Sequence, residues 1–247
     1  LIGLRKIVDG KSVPLLNNTT IAKQLSTLKT FLSYAKMKGI LVSDNYKDFK
    51  IKKEALEVIA LTNDEFETLF NLNLRNNEKL ARVRDIFCFA CATGLRYTDL
   101  KQLSWEHIKE DEIIIKIIKT GQILFIPLTP YSRGILSKYE GQPQPLPMIS
   151  NQRLDEYIKE LCMAAGINEP VEKVRFHGIV RKASIYPKYE LITIHTGRKT
   201  FVTLCLEKGM SAEQVMPITG HLDYRSFKRY VAVIHSFSPL VICIGWL

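Results

Sequence analysis

Between residues 19 and 39 the apolar positions Ile21, Leu25, Leu28, Leu32 and Ala35 recur at helical spacing, which predicts a helix with one apolar face. Gly39 is placed to stop it, and Lys29 and Lys36, seven apart, share a different face. Residues 1–10 read as the end of an earlier helix, so this segment reads as a domain incomplete at its N-terminus. KDFKIKKEALE, residues 47–57, reads as a basic linker or a short helix.

A new set of elements opens at LTNDEFETLF. Thr62 and Glu65 form a capping box, with Phe66, Leu69 and Phe70 on the apolar side. LARVRDIFCFACATG is apolar nearly all round in its second half, which predicts a central helix ended by Gly94. The period then changes. DEIIIKIIKTGQILFIPL predicts two short strands around Thr120-Gly121. Thr129-Pro130 starts another helix, and a further one covers residues 151–165. Residues 171–192 leave open one strand and a loop. A helix runs from His195 to about residue 208, and Ser211 with Gln214 opens the next. There is no internal repeat and no low-complexity tract. The sum is mostly α with a small antiparallel β-sheet, in two domains, 1–57 and 58–247.

Composition narrows this picture. The chain has 247 residues, 46% of them hydrophobic and 24% charged, which is ample for a packed core and too apolar for a disordered chain. No apolar run approaches the ~18–20 residues a membrane span needs. The opening LIGLRKIVDGK is too short and too charged for a signal peptide, so a cytoplasmic protein is expected. Five cysteines without regular spacing argue against a disulfide framework. Cys88 and Cys91 sit in an apolar run with no second pair or histidine nearby, so they read as helix packing rather than a zinc site. Residues 1–55 hold eleven basic and four acidic side chains, or +7 of the net +10. That concentration is the footprint of nucleic-acid binding, or else a solvated face.

Three stretches carry candidate chemistry. In ATGLRYTDL, Arg96 follows a helix end inside apolar sequence, where a cation needs a partner; Asp99 is the nearest. In IHTGRKTF, His195 and Arg198 share a helix face near free amides that favour an anion. A guanidinium fork matches a phosphate, and an imidazole exchanges a proton near neutral pH. In GHLDYRSFKRY, His221 stands among two tyrosines and three cations. A tyrosine hydroxyl is a weak nucleophile unless cations stabilise its oxygen.

A buried-helix G-L-R, a lysine beside a hairpin turn, H-x-x-R, then G-H with a tyrosine nine residues on, in this order over residues 58 to about 234, resembles the tyrosine recombinase or phage-integrase family. The resemblance implies a two-domain architecture: a helical core-binding domain in residues 1–57 and a mixed α/β catalytic domain in 58–247. Residue by residue, Arg96 matches the first arginine of the phosphate clamp. Lys119 matches the hairpin lysine that protonates the leaving 5′ oxygen; Lys116 is its competitor, on the other face of a regular strand. His195 and Arg198 match the H-x-x-R pair, His221 the next His/Trp position, and Tyr230 the nucleophile. Tyr224, three after His221, does not fit the spacing. Asp99 matches a position that buttresses the arginine, and Trp105 a packing position.

The implied reaction is DNA strand cleavage through a 3′-phosphotyrosyl intermediate, followed by rejoining, and two such rounds pass through a Holliday junction. It needs no cofactor and no metal, and the sequence has neither a phosphate loop for ATP nor a two-metal carboxylate cluster. The implied partners are double-stranded DNA, three further copies in a homotetramer on two DNA sites, and an accessory DNA-bending protein, in the bacterial nucleoid. Lys29 and Lys36 are the expected phosphate contacts of the N-terminal domain. The apolar tail from His235 is expected to pack on a neighbouring subunit. The role read here is integration or excision of a mobile element. The alternatives are a chromosome-dimer resolvase of the Xer type, a type IB topoisomerase, and a DNA-binding regulator without turnover.

Overall fold

The computed structural model describes residues 5–8, 11–14, 16–51 and 58–237. Its contacts divide the chain into two units, residues 1–56 with 170–186, and residues 57–169 with 187–247. Among the described residues the fold is mostly helical, with three two-stranded ribbons.

In the first unit, strands β1 (Arg5–Val8) and β2 (Lys11–Pro14) pair antiparallel, Arg5 opposite Pro14 and Val8 opposite Lys11. This corrects the helix expected in residues 1–10. Ile7, Val8 and Val13 are β-branched, and the sequence Asp9-Gly10 between the strands is a strong hairpin signal. Helix α1 (Asn18–Met37) begins with the Asn17 side chain accepting from the Thr20 amide at 2.9 Å. Ile21, Ala22 and Ala35 are buried, while Leu28 of the expected apolar face is exposed. Gly39 follows with φ +81°, the left-handed residue that ends the helix. A short 3-10 helix covers Asp44–Asp48; residues 52–57 of the expected linker lie outside the described residues.

The segment left open at 171–192 holds two strands and a short helix: β5 (Pro170–His177), β6 (Val180–Pro187) and a turn at Lys188–Leu191. The β5–β6 tip belongs to the first unit. The buried Asn18 side chain donates to the Gly178 carbonyl at 2.8 Å and accepts from its amide at 2.7 Å.

The second unit is built round one helix. After α2 (Asn63–Phe70), whose Thr62–Glu65 capping box forms with bonds of 3.2 and 2.8 Å, α3 (Glu78–Thr93) runs through the core. Every side chain from Ile86 to Cys91 is at most 3% exposed. Burial pushes the Cys88 and Cys91 thiols up from their ordinary range, so both behave as small hydrophobes. Helix α4 (Tyr97–Gln102) leads to the ribbon β3 (Glu112–Lys116) and β4 (Ile123–Pro127). Around α3 pack α5 (Pro130–Lys138), α6 (Asn151–Ala164) and α8 (Ile194–Glu207), the helix α7 being the short turn at Lys188–Leu191. Helices α9 (Ala212–Thr219) and α10 (Tyr224–Phe237) close the unit. Residues 238–247, and with them most of the tail expected to pack on a neighbour, lie outside the described residues.

Two glycines let α8 sit where it does. A Cβ on Gly197 would meet the Ala90 Cβ at 2.8 Å, so α8 approaches α3 more closely than an alanine permits. Gly94 has φ +69°, and a Cβ there would lie 2.7 Å from the Phe201 ring.

Candidate active site

The turn after α3 delivers Arg96 to the first position before α4. Its Nη1 lies 3.8 Å from Oδ2 of Asp99, and both atoms are buried without a hydrogen-bond partner. Nη1 thus faces the Asp99 carboxylate from the inside, while the side chain, 21% exposed, also borders a cleft. Asp99 is 1% exposed, and its Oδ1 accepts from the Ile118 amide at 3.2 Å. Ile118–Thr120 is the turn joining β3 to β4, so one carboxylate braces Arg96 and also the turn bearing Lys119. Gln102 adds a second tether, Nε2 to the Lys116 carbonyl at 2.9 Å. Lys119 is exposed on the turn; Lys116 is exposed at the end of β3.

The start of α8 is fixed by Asp155, whose Oδ1 accepts from the Ile194 amide at 2.7 Å. His195 stands in the first turn of α8. Arg96, Lys119 and His195 line one cleft of about 560 Å³, with Tyr97, Asn151 and Asp155 also on its walls.

Arg198, one turn further along, is 2% exposed. Its Nη1 donates to the Gly94 carbonyl at 3.0 Å, two residues before Arg96, and its Nη2 lies 3.3 Å from the His221 ring nitrogens. The Thr219 hydroxyl donates to the Val215 carbonyl at 2.9 Å and sits 2.7 Å from His221 Nδ1. With its one proton so committed, Thr219 accepts from Nδ1, which assigns the imidazole proton there and leaves Nε2 to accept from Arg198.

Tyr230 is 1% exposed on α10, its ring 5.9 Å from His221 and 5.6 Å from Phe227. Tyr224 is 49% exposed, so only one of the two tyrosines enters this cluster. The Tyr230 hydroxyl accepts a hydrogen bond from Arg229 Nη2 at 3.2 Å.

The electrostatics are those of a cationic site. Burial, then the Lys199, Arg198, Arg229 and Arg96 charges, push His195 down to about 4. Burial and the Arg198, Arg96 and Arg229 charges push His221 down to about 3. Arg198 falls to about 9, by burial first and then repulsion from Arg96, with the opposing pull of Tyr230 and Asp99. Both imidazoles are therefore neutral at pH 7, and an anion would relieve the crowding of the guanidiniums.

The architecture matches solved integrases. A lambda integrase dimer bound to a core site superposes with TM-score 0.62 at 19% identity, over 83% of this chain and 73% of that one. The Tn1549 transposon integrase in complex with circular intermediate DNA superposes with TM-score 0.59 at 15% identity, over 91% and 80%. The chain belongs to the phage integrase family, the tyrosine-type site-specific DNA recombinases, whose family model matches residues 60–236. Among curated relatives it is 24% identical to tyrosine recombinase XerC of Rickettsia typhi, over 86% of this chain and 68% of that protein. It is also 24% identical to XerD of Listeria monocytogenes, over 91% and 73%.

All six residues singled out in the second domain fall in this region, in two groups. Arg96, Lys119 and His195 face the open cleft; Arg198, His221 and Tyr230 form the buried cluster. Lys29 and Lys36 lie in the first unit and both amines are engaged there. Lys29 Nζ donates to the Lys47 and Phe49 carbonyls at 2.8 and 2.6 Å, and Lys36 pairs with Asp44 at 2.6 Å. Sequence reasoning did not single out Thr219 or Asp155, and it ranked Arg229 below Arg96 and Arg198. Thr219, adjoining G-H, was within reach of a spacing argument; Asp155 and the turn of Arg229 toward Tyr230 carry no local signal. Among the described residues no group of three His, Cys, Asp or Glu side chains gathers as for a metal ion. Among them, too, no helix is long and apolar enough to cross a membrane.

Proposed function

We propose that Tyr230 is the nucleophile with which this recombinase cuts DNA. Its oxygen attacks the scissile phosphorus; the Oη–P bond forms and the P–O5′ bond breaks. The phenolic proton passes to neutral His195, and Lys119 gives a proton to the departing 5′ oxygen. Arg96 and Arg198 hold the nonbridging oxygens, where transition-state charge gathers. His221 orients Arg198. A partner strand's 5′ hydroxyl reverses the steps, and atoms and charge balance without a cofactor. The observation carrying this reading is the burial of Tyr230 against His221, itself bonded to Arg198, in a site crowded with cations.

The test is a nicked duplex selected from a randomised pool for SDS-stable adduct formation. The adduct is expected with wild type and with Tyr224→Phe, and is lost in Tyr230→Phe. No adduct from any member of the pool would leave the regulator reading in its place.

We further infer a DNA-clamping role for residues 1–57, with Lys29 and Lys36 toward phosphates, and assembly as a tetramer on two DNA sites in the cytoplasm. The role we favour is integration and excision of a mobile element, supported by the likeness in fold to lambda and Tn1549 integrases. The sequence likeness to XerC and XerD supports chromosome-dimer resolution as the second reading. An excised circle junction detected on expression in the native host favours the first. Resolution of plasmid dimers carrying the host's chromosomal resolution site, with no circle, favours the second.

A further inference from the structure

Arg229 has no assigned place in the reaction, yet it is the residue whose donor reaches the Tyr230 oxygen. Adjacent residues on a helix do not face one another. Arg229 overcomes this by folding back, its guanidinium carbon 5.0 Å from the Tyr230 ring centroid and its Nη2 3.2 Å from the hydroxyl oxygen. Among the described residues no carboxylate holds it. Its charge adds to the lowering at His195, Arg198 and His221, as a cation beside the Tyr230 oxygen would.

We propose that Arg229 is a catalytic residue dedicated to the tyrosine oxygen, a reading that rests on Tyr230 being the nucleophile. Each reacting oxygen then has its own cation. Arg96 and Arg198 serve the nonbridging oxygens, Lys119 the 5′ oxygen, and Arg229 the Tyr230 oxygen. In cleavage the phenolic proton leaves as Oη bonds to phosphorus, and charge builds on Oη in between. In rejoining, the P–Oη bond breaks and its electron pair returns to Oη. The Arg229 hydrogen bond accepts no proton, and it strengthens in both directions as Oη becomes negative.

The experiment is single-turnover cleavage and rejoining on the selected nicked duplex, at saturating protein so that affinity drops out. Arg229→Ala is expected to slow both steps by about 10²-fold, the loss typical of one transition-state donor, with the adduct level at equilibrium unchanged. Arg229→Lys, which keeps one charged donor, is expected to recover most of the rate. A 5′-bridging sulfur, whose thiolate leaves without a proton, is expected to rescue Lys119→Ala and not Arg229→Ala. Arg229→Ala within threefold of wild type, faster than wild type, slowed in one direction only, or rescued by the 5′ sulfur overturns the proposal. If Tyr230→Phe still forms the adduct, the nucleophile itself is wrong. If Tyr230→Phe is inert while Arg229→Ala runs normally, only the role of Arg229 falls.

Discussion

Arg198 and His221, 23 residues apart in sequence, stand 3.3 Å from each other, with the Thr219 hydroxyl 2.7 Å from Nδ1 of the imidazole. The relay runs Val215 carbonyl, Thr219, His221, Arg198, Gly94 carbonyl, and it fixes a guanidinium against the turn that carries Arg96. Removing the Thr219 hydroxyl leaves Nδ1–H without its acceptor. Thr219→Val is therefore expected to slow adduct formation about tenfold, within the range for one lost positioning bond. Thr219→Ser should restore it. Equal rates in Val and Ser variants would show that the relay does not orient Arg198.

Both depressed histidines make stability depend on pH. They are held neutral in the fold, at about 4 and about 3, against an ordinary histidine value of ~6.5. Their contribution is complete above the unfolded value. It falls as pH drops below ~6.5, because the unfolded chain takes up protons that the folded chain refuses, and the fall ends once the folded values are passed. Calorimetric melting between pH 7 and pH 4 should show Tm declining, and His221→Asn should flatten that decline. An unchanged pH slope in His221→Asn would remove His221 as its source.

Gly197 lies between His195 and Arg198 and permits the close α3–α8 crossing. Gly197→Ala drives a methyl into Ala90 and is expected to cost about 1–3 kcal/mol, as overpacking does. Adding Ala90→Gly removes the opposing methyl and should recover part of that loss. Urea midpoints of the single and double variants measure it, and additive losses would argue against the contact.

Asp99 ties Arg96 to the Lys119 turn. Asp99→Asn keeps an acceptor for the Ile118 amide but not the charge beside Arg96; Asp99→Ala keeps neither. Cleavage should fall in the order wild type, Asn, Ala. The 5′-sulfur duplex should close part of the gap between Asn and Ala, since that gap reflects the position of Lys119. A gap unaffected by sulfur would confine Asp99 to Arg96.

Lys36 and Asp44 form an exposed pair, 47% and 52% accessible, and such pairs contribute little. A phosphate can take the place of Asp44, and Lys29 has a third N–H beyond its two carbonyls. Alanine at both positions should reduce the slope of log K against log salt by about 2, at roughly 0.9 per phosphate. Identical slopes would take both lysines off the DNA.

The elements legible in the sequence were those whose signals are local. The Thr62–Glu65, Thr129–Pro130 and Ser211–Gln214 starts, the stops at Gly39 and Gly94, and the ribbon around Thr120-Gly121 each depend on residues within a few positions, and each is present. The helix end expected in residues 1–10 is a hairpin strand instead, because apolar spacing over so short a run does not separate strand from helix and the Asp9-Gly10 turn signal outweighs it. Residues 171–192 stayed open because the tip of their ribbon is held by Asn18, 160 positions away.

For the site, the order and spacing of the arginines, the lysine, the histidines and Tyr230 resembled the family's motifs, and phosphate chemistry accounts for those residue types. What they touch was decided by tertiary packing. The Arg198–Gly94 bond spans 104 positions, and it exists because Gly197 lets α8 settle on α3. The burial of Tyr230 and exposure of Tyr224, and the turn of Arg229 toward the Tyr230 oxygen, follow from how α10 lies against α8 and α9. Local sequence sets which groups are available; only the packing of distant helices sets which of them meet.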